Sequence, residues 1–273
     1  MEQHHMVFHS ISKECCRWLQ RQQNVKEESL TDWMLYTISE RIDRIYYQTF
    51  TRNEEAFCGA DWEWWVLTDG AGGFNAYRFL VQAKKLKAGQ DNYPLISYGN
   101  RNGLQIDLLV STAAARRAMP VYVYYSAERP ETPQQIKNFS FVRPETVEWC
   151  EHCTNGVYMS SALSVQKKIF ALPRRKVSAV DLLNNSLGLS MCDLLFDTKD
   201  SPPKIMNRIN RYYMKENKEE TFGGIRHSGK DIPPYLKILT ERRQESLDWL
   251  EMQFKDYLED ITGVAVIDLR DRE

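Results

Sequence analysis

One acid, one amide and one ammonium stand at a spacing that could do phosphate chemistry: Asp61, then Gln82, Ala83 and Lys84. Cutting a phosphodiester needs a hard divalent cation on oxygen ligands, an activated water and stabilisation of the charge that develops on phosphorus. Each need has a candidate. Asp61 would ligate Mg2+ directly, the Gln82 amide oxygen and the Ala83 carbonyl would fill part of the remaining shell, and Lys84 would orient the water or stabilise the developing charge. In the plainer alternative Asp61 caps a strand, Gln82 and Lys84 sit on a solvated face, and Trp62, Trp64 and Trp65 are simply core. Against that, Lys84 follows the apolar run Phe79-Leu80-Val81, where an isolated ammonium is costly unless a carboxylate or phosphate accompanies it.

The elements that must hold these groups can be read from periodicity. GADWEWWVL alternates, TDGAGGFN supplies turn residues and AYRFLVQAKKL alternates again, which predicts a hairpin of two long strands. Asp61 and Glu63 then share one face, opposite Trp62 and Trp64, and Gln82 and Lys84 share a face of the second strand. A turn centred near residues 72 and 73 places Asp61 across from Lys84, and Gln82 close to Glu63. Glu63 is a candidate ligand for a second ion, or a cross-strand partner of Lys84 or Arg78.

Around the hairpin, Leu30, Met34, Ile38, Ile42 and Ile45 recur at helical spacing, predicting a helix from Glu27 to about Phe50, with Ser29 and Asp32 as a capping box. A shorter helix is expected over Ile11 to Gln23. NGLQIDLLVSTAAARRA reads as a helix ending before Pro120, and PVYVYYSA as a buried strand. Further on, helices are expected near Tyr158 to Phe170, Pro203 to Lys215 and Pro234 to Asp260, then a strand, VAVIDLR, after Gly263. The expectation is an α/β protein with a mixed sheet flanked by helices over residues 1–130, and a largely helical region, 131–273, packing on it and ending in a strand.

The order of elements and the motif together resemble the PD-(D/E)xK nuclease superfamily. Asp61 with Gln82-Ala83-Lys84 looks like its D…(E/Q)xK signature, and the Gln form is similar to the Mrr-like branch. The resemblance covers about residues 27 to 126. It implies a restriction-endonuclease-like core and Mg2+-dependent (or Mn2+-dependent) hydrolysis of DNA, with RNA as the alternative substrate. It also implies an acid on the first core helix that serves the metal, for which Glu28 is the best match and Glu27 and Asp32 are substitutes. Gln105 resembles a helical fourth motif that contacts water or nucleic acid. Gln82 departs from the usual acid, because an amide oxygen coordinates Mg2+ without adding negative charge. By analogy with bacterial anti-phage effectors, such a nuclease would be controlled by a regulatory protein partner or by homo-oligomerisation. A non-catalytic nucleic-acid-binding or protein-interaction subunit that keeps the fold is the rival reading.

Bulk properties limit the partners. The 273 residues carry a formal charge of −1, so no global positive field favours nucleic acid or an anionic membrane. Any nucleic-acid footprint must be local. Lys204, Arg208, Arg211 and Lys215 form a basic stripe at helical spacing with Tyr212 and Tyr213 interleaved, which could track phosphates and stack on a base, or could be a solvated face. Lys85 and the run Pro173-Arg174-Arg175-Lys176 add to it. No window approaches the ~18 consecutive apolar residues of a spanning helix, so no membrane partner is expected. Six scattered cysteines and the polar opening MEQHHMVFHS suggest a reduced, cytoplasmic protein. Cys150-Glu151-His152-Cys153 lacks the second pair that a structural zinc site usually shows, and buried thiols are the simpler expectation.

Overall fold

The helical periodicity of the first fifty residues resolves into two helices and a strand in the structure, a computed structural model that describes residues 2–50, 58–70, 73–86, 99–100, 103–127, 156–172, 189–190, 226–241, 252 and 261–270. Helix α1 spans Glu2–Arg21 and α2 spans Glu27–Arg41. The helix expected to reach Phe50 stops at Arg41, and Ile45–Thr49 form strand β1. Ile42 and Ile45 keep the helical spacing by coincidence. The run IYYQT is β-branched and aromatic, and it pairs antiparallel with a strand from the far end of the chain, Ile45 facing Ile267. Tertiary pairing overrides the local period here. The expected capping box also gives way: α2 begins at Glu27, with Lys26 extended before it and no side-chain cap. Glu27 and Glu28 in its first turn suit the positive end of the helix dipole.

The hairpin follows as β2 (Trp62–Gly70) and β3 (Gly73–Leu86). A small ladder, β4 (Gly99–Asn100) with β5 (Gly103–Leu104), leads into α3 (Gln105–Ala115) and then β6 (Met119–Ser126). Strand β6 lies parallel to β3, so β3, α3 and β6 make a crossover unit. Residues expected to begin a helix at Tyr158 instead complete β7 (Val157–Ser161), antiparallel to β6, and the helix α4 runs from Ala162 to Ala171. The remaining described elements are β8 (Leu189–Ser190), β9 (Arg226–Ser228), α5 (Pro234–Glu241) and β10 (Gly263–Asp268). Residues 203–215, with the basic stripe Lys204, Arg208, Arg211 and Lys215, lie outside the described residues. So do 173–176, Cys150, Cys153 and Cys192, and most of the stretch between Glu241 and Asp260.

Eight strands form one mixed sheet in the order β1-β10-β2-β3-β6-β7-β8, with β9 on the outer part of β3. The carboxy-terminal strand β10 stands between β1 and β2, antiparallel to the first and parallel to the second. Strands from beyond residue 130 therefore finish the sheet that the earlier part begins. Helices cover both faces. On one face α1 and α2 pack over Trp62, Trp64, Val66, Phe79, Val81, Val123 and Tyr125. The Trp18 and Trp33 rings meet edge to face at 5.8 Å, and the Tyr125 hydroxyl donates to Thr31 Oγ1 at 2.8 Å. On the other face Trp65, Leu67, Leu80, Tyr122, Tyr124, Val264 and Val266 form a second core with residues of α3, α4 and α5. Every residue of β6 and β10 is buried, the pattern of inner strands covered on both sides. Among the described residues no helix is long and apolar enough to cross a membrane.

Candidate functional site

Asp61 sits just ahead of β2, and its backbone is held from both sides. Its N–H donates to the Val81 carbonyl at 2.8 Å, and its own carbonyl accepts from the Thr262 N–H at 2.7 Å. Trp62 faces Val81, and the ladder closes with Gly70 facing Gly73. This register differs from the expected one, which set Asp61 across from Lys84. The turn is centred one residue earlier, which slides the pairing by two and brings Asp61 level with Gln82. The slide is even, so every side chain keeps its expected face.

Three of the expected groups meet there. Asp61 Oδ2 accepts from Gln82 Nε2 at 2.5 Å and from the Ala83 N–H at 3.0 Å, and Gln82 Nε2 also donates to the Ala83 carbonyl at 3.1 Å. Lys84, on the same face, donates from Nζ to Gln105 Oε1 at 2.8 Å, so the first residue of α3 joins the group. Burial lowers the Lys84 pKa from its ordinary value, against the opposing pull of Asp61, Glu27 and Glu28. The ammonium is therefore poorly hydrated and close to negative charge, the environment of a lysine that meets a phosphate or gives up a proton.

The first turn of α2 overhangs this end of β3. Glu27 is half-buried and its Oε1 accepts from the Lys85 N–H at 3.3 Å, whereas Glu28 is exposed. Glu27 is thus the acid seated against the motif strand, and Glu28 stands one residue farther along. Lys85 points to the opposite face and donates from Nζ to the Val25 carbonyl at 2.6 Å, which ties β3 to the α1–α2 connection. Glu63, two residues along on the same face, is fully buried and salt-bridges Arg78 at 2.5 Å, the cross-strand alternative raised from sequence.

Glycine makes the approach of α3 possible. Gly59 has φ +71, and a Cβ on it would stand 2.5 Å from the Gln105 carbonyl oxygen and 2.6 Å from the Leu109 nitrogen. Backbone meets backbone there, so neither side can yield by a rotamer change. Gly59→Ala is expected to destabilise the fold by at least about 2 kcal/mol, from left-handed strain plus overpacking. Urea unfolding checks this, and a loss within about 0.5 kcal/mol, the range of an ordinary surface change, would contradict the close packing.

The donor set suits a hard cation. Asp61 supplies a carboxylate, Ala83 a carbonyl and Gln82 an amide whose Oε1 is buried without a hydrogen-bond partner. The amide nitrogen now bridges the Asp61 and Ala83 oxygens, and a half-turn of the amide would present Oε1 to a cation between them. Such a turn leaves the shape of the side chain unchanged. Among the described residues no group of three or more His, Cys, Asp or Glu side chains converges, so binding would rest on one carboxylate and neutral oxygens, with Glu27, seated against Lys85, as an acid that could add charge.

Sequence reasoning missed three polar residues in line with this group. The register that sets Gly263 beside Trp62 sets Thr262 beside Asp61, and Gln82 faces Tyr122, which faces Ser160. Thr262 and Asp61, just ahead of β10 and β2, therefore form a polar row with Gln82, Tyr122 and Ser160 on β3, β6 and β7, on the face that carries Lys84. Only the long-range pairing assembles it, so no local spacing announces it. No curated protein matches the chain. A family model does match, over residues 4–273, and the chain accordingly belongs to DUF6615, a family of unknown function.

Proposed function

We propose that this protein is a Mg2+- or Mn2+-dependent nuclease of the PD-(D/E)xK type that hydrolyses DNA phosphodiesters, RNA being the alternative substrate. The observation that carries the reading is the convergence of Asp61, Gln82, Lys84 and Gln105 at one end of the hairpin, with Asp61 Oδ2 and Gln82 Nε2 2.5 Å apart and Lys84 Nζ 2.8 Å from Gln105 Oε1. The succession α2, β1, β2, β3, α3, β6 supports the restriction-endonuclease-like assignment, as does the parallel pairing of β3 with β6. Strand β10 between β1 and β2 is an addition to that order. A bound cation would supply Lewis acidity at the phosphate. Asp61, Gln82 and the Ala83 carbonyl would hold it, Lys84 would place positive charge against the phosphate or orient the water, and Gln105 would fix the Lys84 ammonium.

Control by a protein partner or by self-association, as for an anti-phage effector in the cytoplasm of a bacterium, is part of the same proposal. The rival is a binding or interaction module without catalysis. It is favoured by the Gln82 amide, which already satisfies Asp61 without a metal. Purified protein incubated with plasmid and single-stranded DNA decides between them. Cleavage is expected with Mg2+ or Mn2+ and none with excess EDTA, accompanied by a rise in melting temperature with the cation. Intact DNA and a melting temperature indifferent to the cation would leave the binding module.

A further inference from the structure

Two buried polar atoms without hydrogen-bond partners stand at facing positions of adjacent strands. Gln82 on β3 faces Tyr122 on β6, and both Gln82 Oε1 and the Tyr122 hydroxyl are orphaned. Gln82 is 3% exposed and Tyr122 0%, so bulk water does not satisfy them. Tyr122 lies in the second core and stacks on Tyr124 at 5.8 Å, while the Tyr124 hydroxyl is engaged by Ser160 at 2.9 Å. On the other flank of Asp61, Thr262 Oγ1 is likewise buried and orphaned. Hydroxyls left unpaired in an interior cost stability, so each one calls for a reason, and a bound ion or its waters is one such reason.

The charges of Asp61 and Asp107 act on the Tyr122 hydroxyl in addition to its burial, which places it within electrostatic reach of the proposed cation site. A divalent cation held by one carboxylate, one amide and one carbonyl keeps several waters, because Mg2+ demands near-octahedral oxygen coordination and dehydrates reluctantly. Those waters carry hydrogens that need acceptors. On the side of the site that faces Gln82 and Tyr122, both buried, the acceptors must come from the protein.

Resting on the cation reading of the Asp61 site, we infer that Tyr122 is a positioning residue: its buried hydroxyl, facing Gln82, accepts from the hydration shell of a cation held by Asp61 and Gln82, and Thr262 does so from the opposite flank. The hydroxyls are therefore a burden in the metal-free protein and an asset in the loaded one. That sign separates them from ordinary structural hydroxyls, whose removal weakens both states.

The test uses the full chain and Mn2+ alone, measured by calorimetry, beside urea unfolding in EDTA. For Tyr122→Phe, which removes a single oxygen and keeps the ring packing, the metal-free unfolding midpoint is expected to stay level or rise. Its Mn2+ dissociation constant is expected to increase at least about 10-fold, the lower range for loss of an outer partner of a metal site. Thr262→Val should act in the same two directions. Mn2+ affinity equal to the parent in both variants would overturn the inference while leaving the cation site standing. A metal-free midpoint that falls in both would overturn it too, since the hydroxyls would then be satisfied without a cation. If Asp61→Ala binds Mn2+ as the parent does, the underlying cation reading fails, and this inference with it.

Discussion

Lys84→Met protein is expected to cleave plasmid DNA at least about 100-fold more slowly than the parent chain in Mg2+, the scale for removing one preorganised group that faces developing charge. Asp61→Ala should be at least as slow. Methionine nearly matches the length of the lysine stem and keeps its packing beneath Gln105, so the loss would report the ammonium and not the shape. The pH dependence of stability supplies a check on folding with a defined sign. Burial lowers the Lys84 pKa, opposed by Asp61, Glu27 and Glu28, so between the lowered value and the ordinary lysine range the unfolded chain binds the extra proton. Unfolding free energy therefore rises with pH across that window as the cost of burying the charge is relieved. The variant lacks this contribution. Below the window it should be at least as stable as the parent, and the advantage should shrink as pH climbs. Cleavage that persists undiminished in both folded variants would remove Asp61 and Lys84 from the chemistry.

The parts of the site that follow a local rule are the parts the sequence shows. Alternation puts Asp61, Gln82 and Lys84 on one face of a hairpin, and Gly70, Gly72 and Gly73 mark where it turns. A one-residue error in the turn centre preserves faces but changes partners, which is why Asp61 meets Gln82 and not Lys84. The partner of Lys84 comes from α3, and it needs Gly59 to admit that helix, a packing relation no periodicity encodes. Strands β1 and β7 were hidden for a different reason. Ile38, Ile42 and Ile45 continue a helical stripe on paper, and Val157–Ser161 precede a true helix without a break. In both cases the deciding information is the partner strand, β10 for one and β6 for the other. The same holds for the place of β10. VAVIDLR reads plainly as a buried strand, but nothing within it says that it will stand between β1 and β2.

Arg78→Ala is expected to lower the unfolding free energy by about 3–5 kcal/mol, the cost of leaving a buried carboxylate without its counter-ion. Glu63 is 0% exposed. Its Oε2 accepts from Arg78 Nε at 2.9 Å and from a terminal guanidinium nitrogen at 2.5 Å, and its Oε1 accepts from Trp65 Nε1 at 2.5 Å and from the Tyr235 hydroxyl. The other end of the guanidinium donates to the Arg116 carbonyl at 3.1 Å. Lysine cannot reproduce that set of donors, so Arg78→Lys should recover only part of the loss. Removing both charges should cost less than the sum of the single changes, because no ion is then stranded, and a double-mutant cycle of Glu63→Ala with Arg78→Ala measures the difference. A single-variant loss below about 1 kcal/mol would mean that water reaches the carboxylate and the burial is illusory. The pair also bears on the candidate site. Arg78 faces Trp65 across the hairpin, so its diagonal reach to Glu63 pins the β2–β3 register from within the ladder. That register is what sets Asp61 beside Gln82, and with Arg78 gone the Asp61–Gln82 contact loses one of the side-chain ties that fix it, while the backbone ladder, the Ala83 N–H and Thr262 still hold Asp61.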